Sequence, residues 1–378
     1  MRYIFITLYF ITIISCNKPT SSLTTEKYLK EYETTPSEFI IKKFKTNTVV
    51  LLGEDHGIKN NLDFVSQLIP KLYKAGVYNL GMEFGASEMQ HKVDSLLSAP
   101  QFDEELMRNI MFFYNVGWPY KEYMDVYKNA WKFNTTLKAN DKKFRIINLS
   151  YQYNWSNYLG ENTPEEKAEI FNKGEADLYR AKVVEKEVFD KNEKALLLVG
   201  TPHAFTKFLN RNLENKISEN CPAEAIYLGH RLLDKHPDKV YTILLHQAFY
   251  GTEKSNYKLM SPAHGNIEKA MALNGNKPIA FDLVHSPMGL LEDNSFYASC
   301  NDTFRLNQFF DAYIFLVPFD QMDGCTYDAH FYDNHNWEDI RVQIPDPNWN
   351  PRPSTQQKYQ EQRRAFVDIK ERYKDVIN

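Results

Sequence analysis

Three short stretches of this chain carry the residue types that move protons. Gly53-Glu54-Asp55-His56-Gly57 and Gly81-Met82-Glu83-Phe84-Gly85 lie early, and Gly200-Thr201-Pro202-His203 lies far downstream. Each directly follows an apolar run. An imidazole takes or gives a proton near neutral pH, and a carboxylate beside it orients the ring and raises its basicity. Two Gly-x-x-His motifs with Glu54 and Glu83 therefore describe an acid–base site. The same set, with His56, Glu83 and His203 as ligands, equally describes a divalent-metal site with an open position for water. A third, plainer reading makes these residues helix caps and satisfied buried histidines. Thr201 is expected to cap a helix that has Pro202 at its first position, which puts His203 in the first turn, where the helix dipole favours a neutral ring.

The elements that would position these residues can be read from the hydrophobic pattern. Thr48–Leu52, Val77–Met82, Phe144–Leu149, Lys194–Val199, Val240–Leu245, Ile279–Val284 and Tyr313–Val317 are short apolar runs, the mark of buried strands. Residues 61–74 place apolar side chains at helical spacing, with Pro70 expected to kink the helix and Gly76 to stop it. Thr163-Pro164-Glu165-Glu166 opens a further helix as N-cap, first-turn proline and capping-box glutamate. The expected fold is α/β: a mainly parallel sheet flanked by helices, with a helical insertion around 100–192 between the early and middle strands. In an open parallel sheet, residues just past the carboxyl ends of strands converge on one crevice. That is how motifs so far apart in sequence would meet.

The N-terminus addresses the protein. Met1-Arg2, an apolar run from Tyr3 to Ile14 and then Ser15-Cys16 form a secretory signal too short to span a membrane. Residues 1–16 are expected to be a bacterial lipoprotein signal and lipobox with Cys16 as the lipidated residue, and 17–25 a polar tether. One α/β domain would then occupy 26–340, followed by a Pro-rich segment and a peripheral terminal helix over 341–378. This places the protein in the cell envelope, lipid-anchored to the outer membrane, with a small-molecule or peptide substrate. Cys221, Cys300 and Cys325 remain, an odd number that leaves at least one without an intramolecular partner. With 45 Lys+Arg against 49 Asp+Glu, the formal charge of −4 gives no reason to expect nucleic acid. There is no Gly-x-Ser-x-Gly elbow, phosphate loop, dinucleotide fingerprint or Cys-x-x-Cys motif.

The paired motifs resemble those of the erythromycin-esterase, ChaN and Tiki/TraB superfamily. VVLLGEDHG followed by GMEFG is similar to the erythromycin-esterase-like and ChaN-like branch, and GTPHAF to its later histidine motif. The resemblance covers about 45–90 and 194–210, and implies that Glu54, His56, Glu83 and His203 form the functional set. It implies one of three chemistries: metal-free ester hydrolysis with a histidine activating water, metal-dependent peptide cleavage, or haem-related binding by a lipoprotein. This chain has only Asp55 between Glu54 and His56, one residue fewer than the esterase pattern, which leaves open which acid serves His56.

The leading expectation is a hydrolase acting on an ester or amide bond, with His56 as base, Glu54 and Glu83 orienting and His203 as partner acid or oxyanion donor. A non-enzymatic haem-binding lipoprotein is the alternative. His246 and His285, with Asp282 nearby, could line the same crevice, and Asp328, His330, Asp333 and His335 form a local cluster able to bind metal adventitiously.

Overall fold

A computed structural model describes residues 21–31, 34–209, 225–251, 258–299, 303–347 and 351–377. The signal segment with Cys16, and both Cys221 and Cys300, lie outside these residues. The described residues form nine strands: β1 Val49–Glu54, β2 Asn79–Ala86, β3 Arg145–Ser150, β4 Ala195–Gly200, β5 Val240–Leu245, β6 Phe249–Tyr250, β7 Leu259–Met260, β8 Ile279–Asp282 and β9 Ala312–Phe315. Seven of them form one sheet in the order β3-β2-β4-β1-β5-β9-β8, while β6 and β7 pair separately. All pairings in the large sheet are parallel except β8 with β9 at its edge. The chain is an α/β protein.

Every residue of β1 is buried, because the strand lies mid-sheet with helices on both faces. Side chains alternate along it. Val50 and Leu52 join Leu80, Met82, Leu196 and Leu198 in one core, covered by helices Lys59–Lys74, Gln90–Ser98, Glu104–Tyr114 and Lys121–Thr135. Val49 and Leu51 join Leu197, Val199 and Leu244 in the other, under helices Ala176–Val184, Leu228–Lys235 and Asn266–Leu273. The helix Lys59–Lys74 runs through Pro70, which precedes its last turn, and Gly76 follows in the left-handed conformation at φ +77°. Thr163 caps its helix as expected, its hydroxyl accepting from Glu166 N at 3.1 Å.

Within the insertion over 100–192, β3 falls where the apolar run Phe144–Leu149 places a strand, and it joins the sheet edge beside β2. One feature departs from the sequence reading: the terminal segment is not peripheral. Tyr359, Ile369 and Tyr373 are buried, and Arg372 reaches the loop after β1. Its apolar positions are spaced among many charges, so only the tertiary packing identifies the buried face.

Register explains how the motifs meet. In the parallel pairing of β1 with β4, Glu54 stands opposite Gly200. On the other side of β4, Met82 of β2 stands opposite Leu198, which brings Glu83 level with the end of β4. Three neighbouring strands thus deliver all three motifs to one edge.

Candidate active site

Glu54 is the last residue of β1 and His56 follows in a turn. His56 Nδ1 lies 3.0 Å from Glu54 Oε1, and the Tyr123 hydroxyl donates to the same oxygen at 2.7 Å. That hydroxyl also accepts from Gly57 N at 3.2 Å, so one tyrosine ties both ends of the turn. Gly57 sits at φ +83°, a backbone conformation that a side chain would strain. Asp55 does not serve His56. It points away to Arg372 and Tyr373, each 2.5 Å from its Oδ2, which settles the ambiguity left by the shortened motif.

Glu83 lies inside β2 rather than past its end. The register between β2 and β3 shifts between Met82 and Ala86, an irregularity that re-aims side chains. Glu83 Oε2 accepts from Gly200 N at 2.6 Å, and its Oε1 receives Arg180 Nη2 at 3.3 Å and His203 Nε2 at 3.2 Å. The other ring nitrogen of His203 lies 2.9 Å from Asp177, and Arg180 bridges back to Asp177 Oδ1 at 3.1 Å. Arg180 Nε donates to Ser150 Oγ at 2.9 Å, and that hydroxyl donates to Glu83 O at 2.8 Å. Two acids and two cations therefore close a hydrogen-bonded ring.

Burial alone would raise the Glu83 carboxyl, but His203 and Arg180 hold it well below the usual carboxylate range. Burial likewise opposes charge on His203, yet Glu83 and Asp177 push its pKa up to about 9. His203 is thus an imidazolium at neutral pH, against the expectation from a helix dipole. Thr201–Ala204 is a single 3-10 turn with Gly200 at its cap position, and Thr201 Oγ1 instead donates to Glu54 O at 3.1 Å. One short turn carries little dipole, and two carboxylates in contact outweigh it. At His56, burial again opposes charge, but the bond to Glu54 and the charges of Glu83, Glu54 and Asp55 raise the pKa above 6.5. Burial raises Glu54 itself.

The two halves of the site face each other across Gly200. A Cβ at that position would lie 2.8 Å from His56 Nε2 and 3.4 Å from Glu83 Oε2. The glycine is what leaves His56 Nε2 open toward Glu83. The His56 side chain keeps 26% of its surface exposed, and edges of its ring meet Phe84 and Trp118. The exposed part opens into a cavity of about 630 Å³ lined by His56, Glu83, Arg180 and His203 at its floor. Phe112, Phe113, Tyr114, Trp118, Phe171 and Phe366 wall it.

The donor chemistry does not suit a metal. Both nitrogens of His203 rest on carboxylates, and the Arg180 guanidinium occupies the space between Glu83 and Asp177. Among the described residues, no group of three or more His, Cys, Asp or Glu side chains is arranged to hold an ion.

The remaining candidates lie elsewhere. His246 is buried against Tyr313 and Phe319 and pairs with Glu268, while His285 is exposed. Asp282 binds Lys43 and Tyr241. In the late cluster, Asp328 pairs with Arg108, His330 with Asp333, and His335 stacks on Phe112 at the cavity wall. Asp177, Arg180, Tyr123 and Ser150 were not singled out from sequence. Asp177 and Arg180 look there like any exposed pair three apart on a charged helix.

No family model matches the chain, and no curated protein matches it. Solved structures share the fold. A succinoglycan biosynthesis protein matches at TM-score 0.55 and 11% identity, over 82% of this chain and 100% of that one. A Bacillus cereus protein matches at TM-score 0.51 and 11% identity, over 79% and 98%. Such identities speak for the fold alone. ChaN of Campylobacter jejuni, described with cofacially bound haem, matches at TM-score 0.37 and 17% identity over 56% of this chain and 86% of that one, too slight to carry an argument. The chain spans 40% of a longer chain described as a bacterial protein toxin.

Proposed function

We propose that the protein is a hydrolase of ester or amide bonds that activates water without a metal, kin to the erythromycin-esterase-like proteins its motifs resemble. The observation that carries this reading is the open Nε2 of His56, backed by Glu54 on Nδ1 and facing Glu83 across Gly200. A water held between the ring nitrogen and the carboxylate loses its proton to Nε2 as its oxygen adds to the substrate carbonyl. Glu54, fixed by Tyr123, keeps the tautomer that leaves Nε2 unprotonated and stabilises the imidazolium once formed. The charged His203 and Arg180 keep Glu83 ionised, so that its carboxylate can hold and orient the attacking water. The imidazolium of His56 then returns its proton to the leaving group as the carbon–oxygen or carbon–nitrogen bond breaks.

We further propose that the enzyme works in the bacterial cell envelope, tethered through lipidated Cys16. The lipobox ending at Cys16 supports this. Radiolabelled palmitate incorporated by the full chain and absent from Cys16→Ser tests the anchor.

The rival reading, haem capture, would use the same exposed His56 nitrogen as an axial ligand. Residues 17–378 should be screened against neutral and charged 4-nitrophenyl esters and anilides, with an absorption spectrum after haem addition. Turnover that is lost in Glu83→Gln while ligand binding persists supports the hydrolase. A haem band that survives Glu83→Gln, without turnover of any substrate, overturns it.

A further inference from the structure

The cavity that opens above His56 carries, beside its aromatic walls, a cation that no described acid neutralises. Arg363 lies on the helix Gln356–Phe366 and lines the cavity with Phe366, three residues on. Among the described residues, the other arginine lining the cavity is Arg180, and it is held by Glu83 and Asp177. Arg363 forms no ion pair with any described residue. Its guanidinium rests on rings instead, 5.2 Å from the centroid of Tyr359 and 5.8 Å from that of Phe366. Its Nε is buried and has no hydrogen-bond partner among the described residues.

Trp118 lines the same wall, its ring 5.7 Å from that of Phe366. Asp346 is the acid on the cavity lining outside the floor network. Burial raises its carboxyl with no cation acting on it, so it is not the missing partner of Arg363.

Resting on the hydrolase reading, we propose that the substrate is an ester or amide with an apolar or aromatic body and an anionic substituent, the anion seated on the Arg363 guanidinium. The aromatic walls take the body by burial of apolar surface, and the guanidinium selects carboxylate, sulfate or phosphate through charge-assisted hydrogen bonds. Arg363 is a specificity residue rather than part of the proton-transfer set. Hydrolysis needs no co-reactant beyond water, whose oxygen adds to the carbonyl carbon while its two hydrogens end on the acid and the leaving group.

Affinity can be read without turnover, which separates this proposal from the hydrolase reading. Calorimetry should compare 4-phenylbutyrate with its uncharged isostere 4-phenylbutyramide on residues 17–378. The wild type should bind the carboxylate about tenfold more tightly, a preference that shrinks as salt rises. In Arg363→Gln the ratio of the two affinities should fall to near one, and Arg363→Lys should keep part of it. Unfolding midpoints close to wild type establish that both variants are folded. Equal affinity for the two probes in the wild type, no binding of either, or a preference that survives Arg363→Gln overturns the proposal. Turnover of neutral esters alone would leave the hydrolase standing and this selectivity refuted.

Discussion

Arg372, five positions from the described C-terminal end, donates to the main-chain carbonyl of His56 at 3.0 Å while holding Asp55 Oδ2 at 2.5 Å. The turn that carries the proposed base is thus clamped from the far end of the chain. Tyr373 adds its hydroxyl to the same Asp55 oxygen, and Ile369 and Tyr373 anchor the clamp in a small apolar cluster with Ile58 and Phe319. Replacing Arg372 with Ala should lower kcat about tenfold, since a base that is no longer fixed spends less time in reacting geometry. It should also cost about 1–2 kcal/mol of stability. Lys cannot make both bonds, so Arg372→Lys should recover little of kcat. Steady-state kinetics beside thermal melts test this, and full activity in a destabilised Arg372→Ala would reduce the clamp to a structural contact.

Gly200 gives a cleaner steric test. Its backbone, φ −57° and ψ 147°, suits any residue, so Ala there adds no backbone strain. The new methyl would intrude on His56 Nε2 and Glu83 and should cut kcat by about two orders of magnitude. The overall fold should survive, as circular dichroism would report.

The pH profile follows from two histidines with opposite duties. His56 acts as base only when neutral, and its pKa lies above 6.5, so activity should rise through that range and not below it. His203 contributes only while charged, so activity should fall as pH passes about 9. Asp177→Asn removes one of the charges that raise His203, and the falling limb should move to lower pH. A profile of kcat/KM for wild type and variant shows whether it does.

Much of this was legible in the sequence, and the omissions have physical reasons. Strands at 49–54, 195–200 and 240–245 were evident because central parallel strands are apolar on both faces. Glu54, His56, Glu83 and His203 stood out because polar residues at the ends of such runs must go somewhere, and the structure brings all of them to one edge. Strand order was not legible, since β4 inserts between β1 and β2 from far downstream. Nor was the charge on His203. Asp177 comes from a segment whose many charges mask the buried pair, and a dipole argument that ignores a contacting carboxylate gives the wrong sign. The terminal clamp was missed because Arg372 has no local pattern to mark it.

Stability should carry the signature of the ring. Glu83 has its pKa depressed from 4.5, so its contribution is present above that value and is lost as pH falls below it. His203 is raised from 6.5 to about 9, so its contribution is complete below 6.5 and drains away as pH rises toward 9. The wild type's advantage over Glu83→Gln in denaturant melts should therefore be greatest between about 4.5 and 6.5 and shrink on both sides.

The most direct measurement is kcat/KM on a hydrolysable ester for wild type and His56→Gln, both as residues 17–378 and both shown to be folded. Loss of the base should lower the rate by about two to four orders of magnitude with ligand affinity little changed. Turnover that persists undiminished in His56→Gln would contradict the assignment of His56 as the group that activates water.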